Sequence, residues 1–242
     1  MAQPSPPASL RIASWNIHKG IGADRRRDLA RTTRVIAEIA PDLMALQEAD
    51  LRFGSRAGLL DLDQLYAETG MTLLPIDRPG PSHGWHGNLI LAREPELLDL
   101  HTLSLPGLEP RGALISDLSL RGHRLRVIAA HLGLLRSSRR AQSQAILDRL
   151  SRLAPLPTVL MGDLNEWRAG PGSPLALLGR HFTLADAVPS FPARRPFLPL
   201  DRMMAGPGHR LADLAVHDTP LSRRASDHLP LTARLSFGEG AE

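Results

Sequence analysis

The sequence contains no cysteine. That excludes disulfides and thiolate metal sites and is what a cytoplasmic protein is expected to show. Lysine is almost missing too: Lys19 is the only one, and the rest of the 29 basic residues are arginine. The net charge is only +4, so arginine in place of lysine is no argument by itself for a nucleic-acid partner. Aromatic residues make up 4% of the chain, little sign of a platform for stacking bases. No apolar run approaches the length of a membrane span. Met1 to Ser9 has neither the charged region nor the apolar core of a signal peptide; rich in Pro and Ser, it reads as a disordered tail, with a second short tail at 238–242.

What is present fits one sizeable α/β domain over residues 10–237. The chain has 242 residues, 43% hydrophobic and 22% charged, ordinary values for a globular protein. No linker, repeat or charge run divides it. Its organising stretch is Thr158 to Glu166. A short, continuously apolar run there reads as a strand buried on both faces. Gly162 is expected to let the chain turn as the strand ends. Asp163 and Asn165 follow, pointing the same way if the chain stays extended. Asp and Asn also form turns, and this stretch alone fits either reading.

The rest of the chain repeats the pattern. Leu10 to Trp15 is expected as a strand ending in Asn16. Asp24 or Asp28 caps a helix reaching Ile39, with Leu29, Thr32, Thr33, Ile36 and Ile39 on one face. Leu43 to Leu46 forms a parallel strand delivering Gln47-Glu48 to the same end. A helix over Leu59 to Thr69 precedes short antiparallel strands at Leu73 to Ile76, Asn88 to Ala92, Leu97 to Leu103, Ala113 to Leu120 and Leu125 to Ala130. Arg121-Gly122-His123 reads as a hairpin turn. His131 ends the last of these strands. Ser137 or Ser138 is expected to cap the next helix, with Ala141, Ile146, Leu150 and Leu153 inward. A short helix at Leu175 to Leu178 and strands at Leu200 to Ala205, Leu211 to Val216 and Leu231 to Phe237 complete the chain.

Asn16, Glu48, His131, Asp163, Asn165, Asp227 and His228 all stand at such strand ends. Carboxylate oxygens without cysteine suit a hard cation such as Mg²⁺. Histidine moves protons near neutrality. Asparagine can donate to an oxyanion without adding charge. Together these types fit metal-assisted attack of water on a phosphate ester.

The ordered motifs Ser14-Trp15-Asn16, Leu46-Gln47-Glu48, Gly87-Asn88-Leu89-Ile90-Leu91, His131-Leu132, Gly162-Asp163-Leu164-Asn165, Leu200-Asp201-Arg202 and Ser226-Asp227-His228 resemble those of the endonuclease/exonuclease/phosphatase superfamily. The resemblance implies a four-layer α/β sandwich of two mixed sheets flanked by helices. It implies Glu48 as a ligand of Mg²⁺ (or Mn²⁺), with Asn16 beside it and Asp227 near. It implies Asp163 orienting or activating water, Asn16, Asn165 and His131 at the phosphate, and His228 at the scissile phosphate paired with Asp201. Arg111 is expected to reach a phosphate oxygen. The sequence departs from the family at His18, where several family nucleases carry Asp, which bears on metal identity and number. His86 reads as a loop residue, Trp15 and Trp85 as packing, and Asn88 as a hydrogen bonder supporting the site.

Arg136, Arg139-Arg140, Arg194-Arg195 and Arg223-Arg224 are expected to ring the mouth with positive charge. Such a ring favours an anionic substrate, be it nucleic acid, a phospholipid headgroup or a phosphorylated small molecule, with nuclease activity ahead of phospholipid cleavage; the competing reading is a solvated surface on which arginine is simply abundant. The competing class is a binding module without turnover for nucleic acid or an acidic membrane, for which Phe197-Leu198-Pro199-Leu200 is a small candidate anchor. Retention of Glu48, Asp163 and His228 argues for the enzyme.

Overall fold

The computed structural model describes residues 9–51, 56–77, 80–168 and 170–237. Among them the chain runs β1 (Ser9–Asn16), α1 (Leu29–Ile39), β2 (Leu43–Gln47), α2 (Leu62–Thr69), β3 (Thr72–Leu73), β4 (Leu89–Ala92), β5 (Glu96–Leu105), β6 (Arg111–Leu120), β7 (His123–His131), α3 (Arg136–Leu150), β8 (Thr158–Asp163), α4 (Leu175–Leu178), β9 (Thr183–Leu184), β10 (Asp201–Ala205), β11 (His209–Val216), α5 (Ser222–Ala225) and β12 (Leu231–Phe237). Of the tails expected at residues 1–9 and 238–242, residues 1–8 and 238–242 lie outside the described residues; Ser9 belongs instead to β1, where it pairs with Ser236.

Two six-stranded mixed sheets form, in the orders β11-β12-β1-β2-β4-β3 and β5-β6-β7-β8-β10-β9. Each has one parallel pair near its centre, β1 with β2 and β7 with β8. The inner faces meet in a core where Ile12, Leu43, Ala45 and Ile90 of one sheet join Leu114, Val127, Val159 and Met161 of the other. The outer faces are covered by helices. Val35, Ile36 and Ile39 of α1 and Leu65 of α2 pack on Trp15, Met44 and Leu46. Ile146 and Leu150 of α3 pack on Ile115, Ile128 and Leu160. Every residue of β8 is buried, and its apolar Val159, Leu160 and Met161 side chains each contribute about 1.5–3 kcal/mol. This is the four-layer α/β sandwich expected.

Local chemistry sets the boundaries. Asp28, rather than Asp24, caps α1 by accepting from Arg31 N at 2.9 Å. Asp61 caps α2 in the same way, so that helix starts three residues later than Leu59. The hairpin turn at Arg121 and Gly122 has positive φ at both positions, 50° and 84°, the geometry whose twist matches the flanking strands. Helix α3 departs from expectation. It begins at Arg136, neither Ser137 nor Ser138 caps it, and Ala141 is exposed. Its first two turns bury Ser138, Arg139, Gln142 and Ser143 instead. Gln142 accepts from Gly133 N and donates to Pro106 O. Arg139 donates to Gly133 O and Leu134 O. A polar inward face that satisfies loop backbones carries no apolar periodicity to read.

Gly162 also differs from its expected role. It lies inside β8, paired with Ala130 and Arg202. Its φ is 153°, and an added Cβ would lie 1.8 Å from Ala130 O. The residue permits close approach of two backbones rather than a terminal turn. Gly162→Ala is expected to destabilise by about 3 kcal/mol or more, a drop of about 6–12 °C in thermal midpoint. A calorimetric scan with an unchanged midpoint would contradict this role.

Candidate active site

Strand register brings the site together. Asp163 ends β8, opposite His131 on its parallel neighbour β7 and Asp201 on its antiparallel neighbour β10. Across the sandwich, Asn16 ends β1 opposite Gln47, and Glu48 follows directly. Asp227 and His228 lie just before β12, which pairs with β1. A cleft of about 410 Å³ is lined by all the expected site residues except Asp201, which is buried beneath His228.

The hub is one oxygen, Asp163 Oδ2. Asn16 Nδ2 donates to it at 3.0 Å. His131 Nε2 lies 3.3 Å away and His228 Nε2 3.8 Å away. The other oxygen, Oδ1, accepts from Asn165 N at 3.0 Å. Asn165 has left the strand with φ at 51°, so alternation along extended chain does not place it. A side-chain turn from Asp163 does, and its Nδ2 is fixed on Leu132 O at 2.9 Å. The turn and the site are therefore one structure. Burial, reinforced by Asp201, pushes the Asp163 carboxyl up to about 6, although His228, Asn16 and Asn165 oppose the shift.

His228 Nδ1 lies 2.8 Å from Asp201 Oδ2, and the Ser190 hydroxyl donates to the same oxygen at 2.5 Å. Trp15 Nε1 donates to His228 O at 2.9 Å, and Phe191 packs on the ring at 4.8 Å. Trp15 thus packs, as expected, and also anchors the histidine. Burial disfavours the imidazolium, but Asp201, then Asp163 and Asp227, outweigh it and raise the His228 pKa to about 10. A carboxylate on Nδ1 fixes the ring so that Nε2 faces the cleft. Arg111 Nη1 is 2.9 Å from both ring nitrogens of His131, while its Nε and Nη2 donate to Glu109.

Glu48 carries a cation already. Lys19 Nζ forms an ion pair with its Oε2. Burial works against the Glu48 carboxylate, but Lys19, with His18 and Arg111, outweighs that and holds it below the ordinary range. Asp227 is half exposed and faces His18, Oδ1 to Nδ1 3.6 Å. His18, Lys19, Glu48 and Asn165 all have positive φ, a concentration of costly backbone at one cleft.

The sequence profile of the Endonuclease/Exonuclease/phosphatase family matches residues 13–228. The chain belongs to this family. Its members are phosphoester hydrolases, and divalent metals are general among them. Uncharacterized protein YbhP of Escherichia coli K12 is 29% identical, covering 94% of this chain and 96% of YbhP. An endonuclease/exonuclease/phosphatase structure from Beutenbergia cavernae has a TM-score of 0.73 at 24% identity, covering 97% of this chain and 73% of that one. A mannosyl-6-phosphatase from Bacteroides thetaiotaomicron has a TM-score of 0.71 at 18% identity, covering 95% and 100%. At these identities the structural likenesses show the fold.

Within this member of the family, two expectations need correction or refinement. The arginine ring is largely committed elsewhere. Arg139 is buried against Glu166 and loop carbonyls, Arg136 bonds Gly172 O, Arg223 pairs with Asp218 and Arg224 with Asp24. Arg140, Arg194 and Arg195 stay exposed. His86 is a half-buried wall of a small pocket beside Glu48, its Nδ1 2.9 Å from Arg56 Nη1. Asn88 is the expected structural hydrogen bonder, donating to Trp85 O and Gly112 O. Sequence reasoning missed Lys19, Ser190 and the cleft-lining Trp167, 47% exposed.

Proposed function

We propose that this chain is a divalent-metal-dependent phosphodiesterase, acting on nucleic acid ahead of phospholipid, in the cytoplasm. The observation that carries the reading is the convergence of Asn16, His131 and His228 on one oxygen of Asp163, beside a carboxylate that already holds a cation. The ammonium of Lys19 is a stand-in charge, and its oxygen acceptor suits Mg²⁺ or Mn²⁺. The buried Asp163, Asp201 and His228 also lie close enough to surround an ion, but their atoms are engaged with one another. Glu48, with Asn16 and Asp227 nearby, is therefore the residue that would hold the metal.

Bound there, the metal would supply a Lewis acid that polarises a phosphate oxygen. The chain's own residues do the rest. Asp163, its lone pairs directed by Asn16 and Asn165, accepts the proton of the attacking water. A carboxyl raised to about 6 is a stronger base than an ordinary one and still ionised at neutrality. His228, held protonated by Asp201, presents Nε2–H to the charge that develops on the phosphate. His131 and Asn165 line the wall that would bind the remaining oxygens. A pure binding module has no need of a raised carboxyl and an imidazolium side by side.

The pH dependence follows with a definite sign. Activity is expected to rise as pH rises through about 6, where Asp163 loses its proton, and to fall as pH rises through about 10, where His228 loses its own. A kcat/KM profile taken at saturating Mg²⁺ checks this. A flat profile between pH 5 and 7 would contradict the role of Asp163.

A second reading, phospholipid cleavage, is favoured by one observation: Leu134 and Trp167 line the cleft while 65% and 47% exposed. The same Trp167 can stack a base. A panel of single- and double-stranded DNA, RNA, abasic DNA, phospholipid vesicles and phosphomonoesters, each with and without EDTA, separates the substrates. Turnover of oligonucleotides above vesicles is the expected result. Turnover of phosphomonoesters alone would overturn the phosphodiesterase reading.

A further inference from the structure

The sequence's one lysine sits on the carboxylate assigned to the metal. Its placement is fixed by the backbone. Lys19 has φ at 57°, and its N–H donates to Glu48 O at 3.1 Å. The two side chains are mostly buried, 24% and 21% exposed, so the pair is screened less than a surface ion pair. Lys19 also lines two cavities, the catalytic cleft and the small pocket walled by Arg56 and His86. An ammonium and a divalent ion held on the same Glu48 carboxylate repel each other, so a metal arriving there works against the Lys19 pair.

We propose that Lys19 is a built-in counter-cation that competes with the divalent metal for Glu48 and, once displaced, turns into the cleft toward the substrate phosphate. The inference rests on Glu48 being the metal-binding carboxylate. Without metal, the ammonium keeps a half-desolvated carboxylate compensated, where an unpaired charge would be costly. With metal, the freed ammonium adds a positive charge on the face where Asp163, His131 and His228 converge. Metal affinity is thereby lowered in the empty enzyme and phosphate affinity raised in the loaded one. The lysine couples the two binding events.

The test is calorimetric titration of Mg²⁺ or Mn²⁺ alone into the wild-type chain, Lys19→Met, Lys19→Arg and Glu48→Gln, followed by inorganic phosphate into the Mg²⁺-saturated proteins. Lys19→Met is expected to bind metal roughly 5- to 10-fold more tightly, the scale of a partly buried ion pair, and phosphate more weakly. Lys19→Arg keeps the competing cation and is expected to stay near wild type in metal affinity. Tighter metal binding is not what general damage to the fold produces. Unchanged or weaker metal affinity in Lys19→Met, with Glu48→Gln impaired, overturns the competition while leaving the site at Glu48 intact. Phosphate affinity unaltered in Lys19→Met overturns the turn into the cleft. Unchanged metal affinity in Glu48→Gln removes the reading of the site, and the inference with it.

Discussion

His228→Ala is expected to lower turnover of a phosphodiester by about 10²-fold or more, the usual scale for a lost proton donor or oxyanion contact. The ring stands between Asp201, 2.8 Å from Nδ1, and the cleft, and its raised pKa keeps it charged at neutrality. Removing it takes away the only imidazolium fixed in this way beside Asp163 among the described residues. Asp201→Asn is expected to cost less, because the ring remains while its orientation and charge are less well held. Acting as a unit, the two changes should be far from additive. The substitutions also leave buried polar groups, so thermal midpoints must accompany the rates. Additive losses, or His228→Ala with near wild-type turnover, would make the pair structural.

Asp163→Asn is expected to have the larger effect, about 10³-fold in turnover at saturating Mg²⁺. The amide has the size and shape of the carboxyl but cannot take a proton from water. Its effect on the fold should be small. The wild-type carboxylate is buried and disfavoured there, as its upward shift shows, so neutralising it relieves a desolvation cost. One amide oxygen remains to accept from Asn165 N or Asn16 Nδ2. A well-folded Asp163→Asn variant with turnover within 10-fold of wild type would move water activation to another group. The acid limb of the pH profile should disappear in this variant.

Much of this site was legible because strands obey short-range rules. The apolar run Thr158–Asp163 read as a buried strand with Asp163 at its end, and the structure places it so. The same holds for Asn16 after β1 and His131 after β7. Register then aligned His131, Asp163 and Asp201 in one row; strand-end positions had pointed to His131 and Asp163, and the family resemblance to Asp201. What could not be read were pairings between loops. Lys19 and Glu48 are 29 residues apart with no periodic pattern linking them. Ser190 reaches Asp201 from a Pro-rich stretch that carries no signal of its own. The arginine ring was only partly legible, for the same reason in reverse. Sequence shows where a cation is, not whether Glu166, Asp218 or Asp24 has already taken it. The polar inward face of α3 hid its start, since hydrophobic periodicity reports apolar burial only.

On the proposed reading, phosphodiester hydrolysis in this cleft needs both Asp163 and a divalent ion. The most direct measurement is release of p-nitrophenol from bis(p-nitrophenyl) phosphate by the wild-type chain and Asp163→Asn, with Mg²⁺ or Mn²⁺ and with EDTA. Metal-dependent release by the wild type, abolished by EDTA and reduced about 10³-fold in the variant, is the expected result. Release that survives EDTA, or that Asp163→Asn retains in full, would contradict the account.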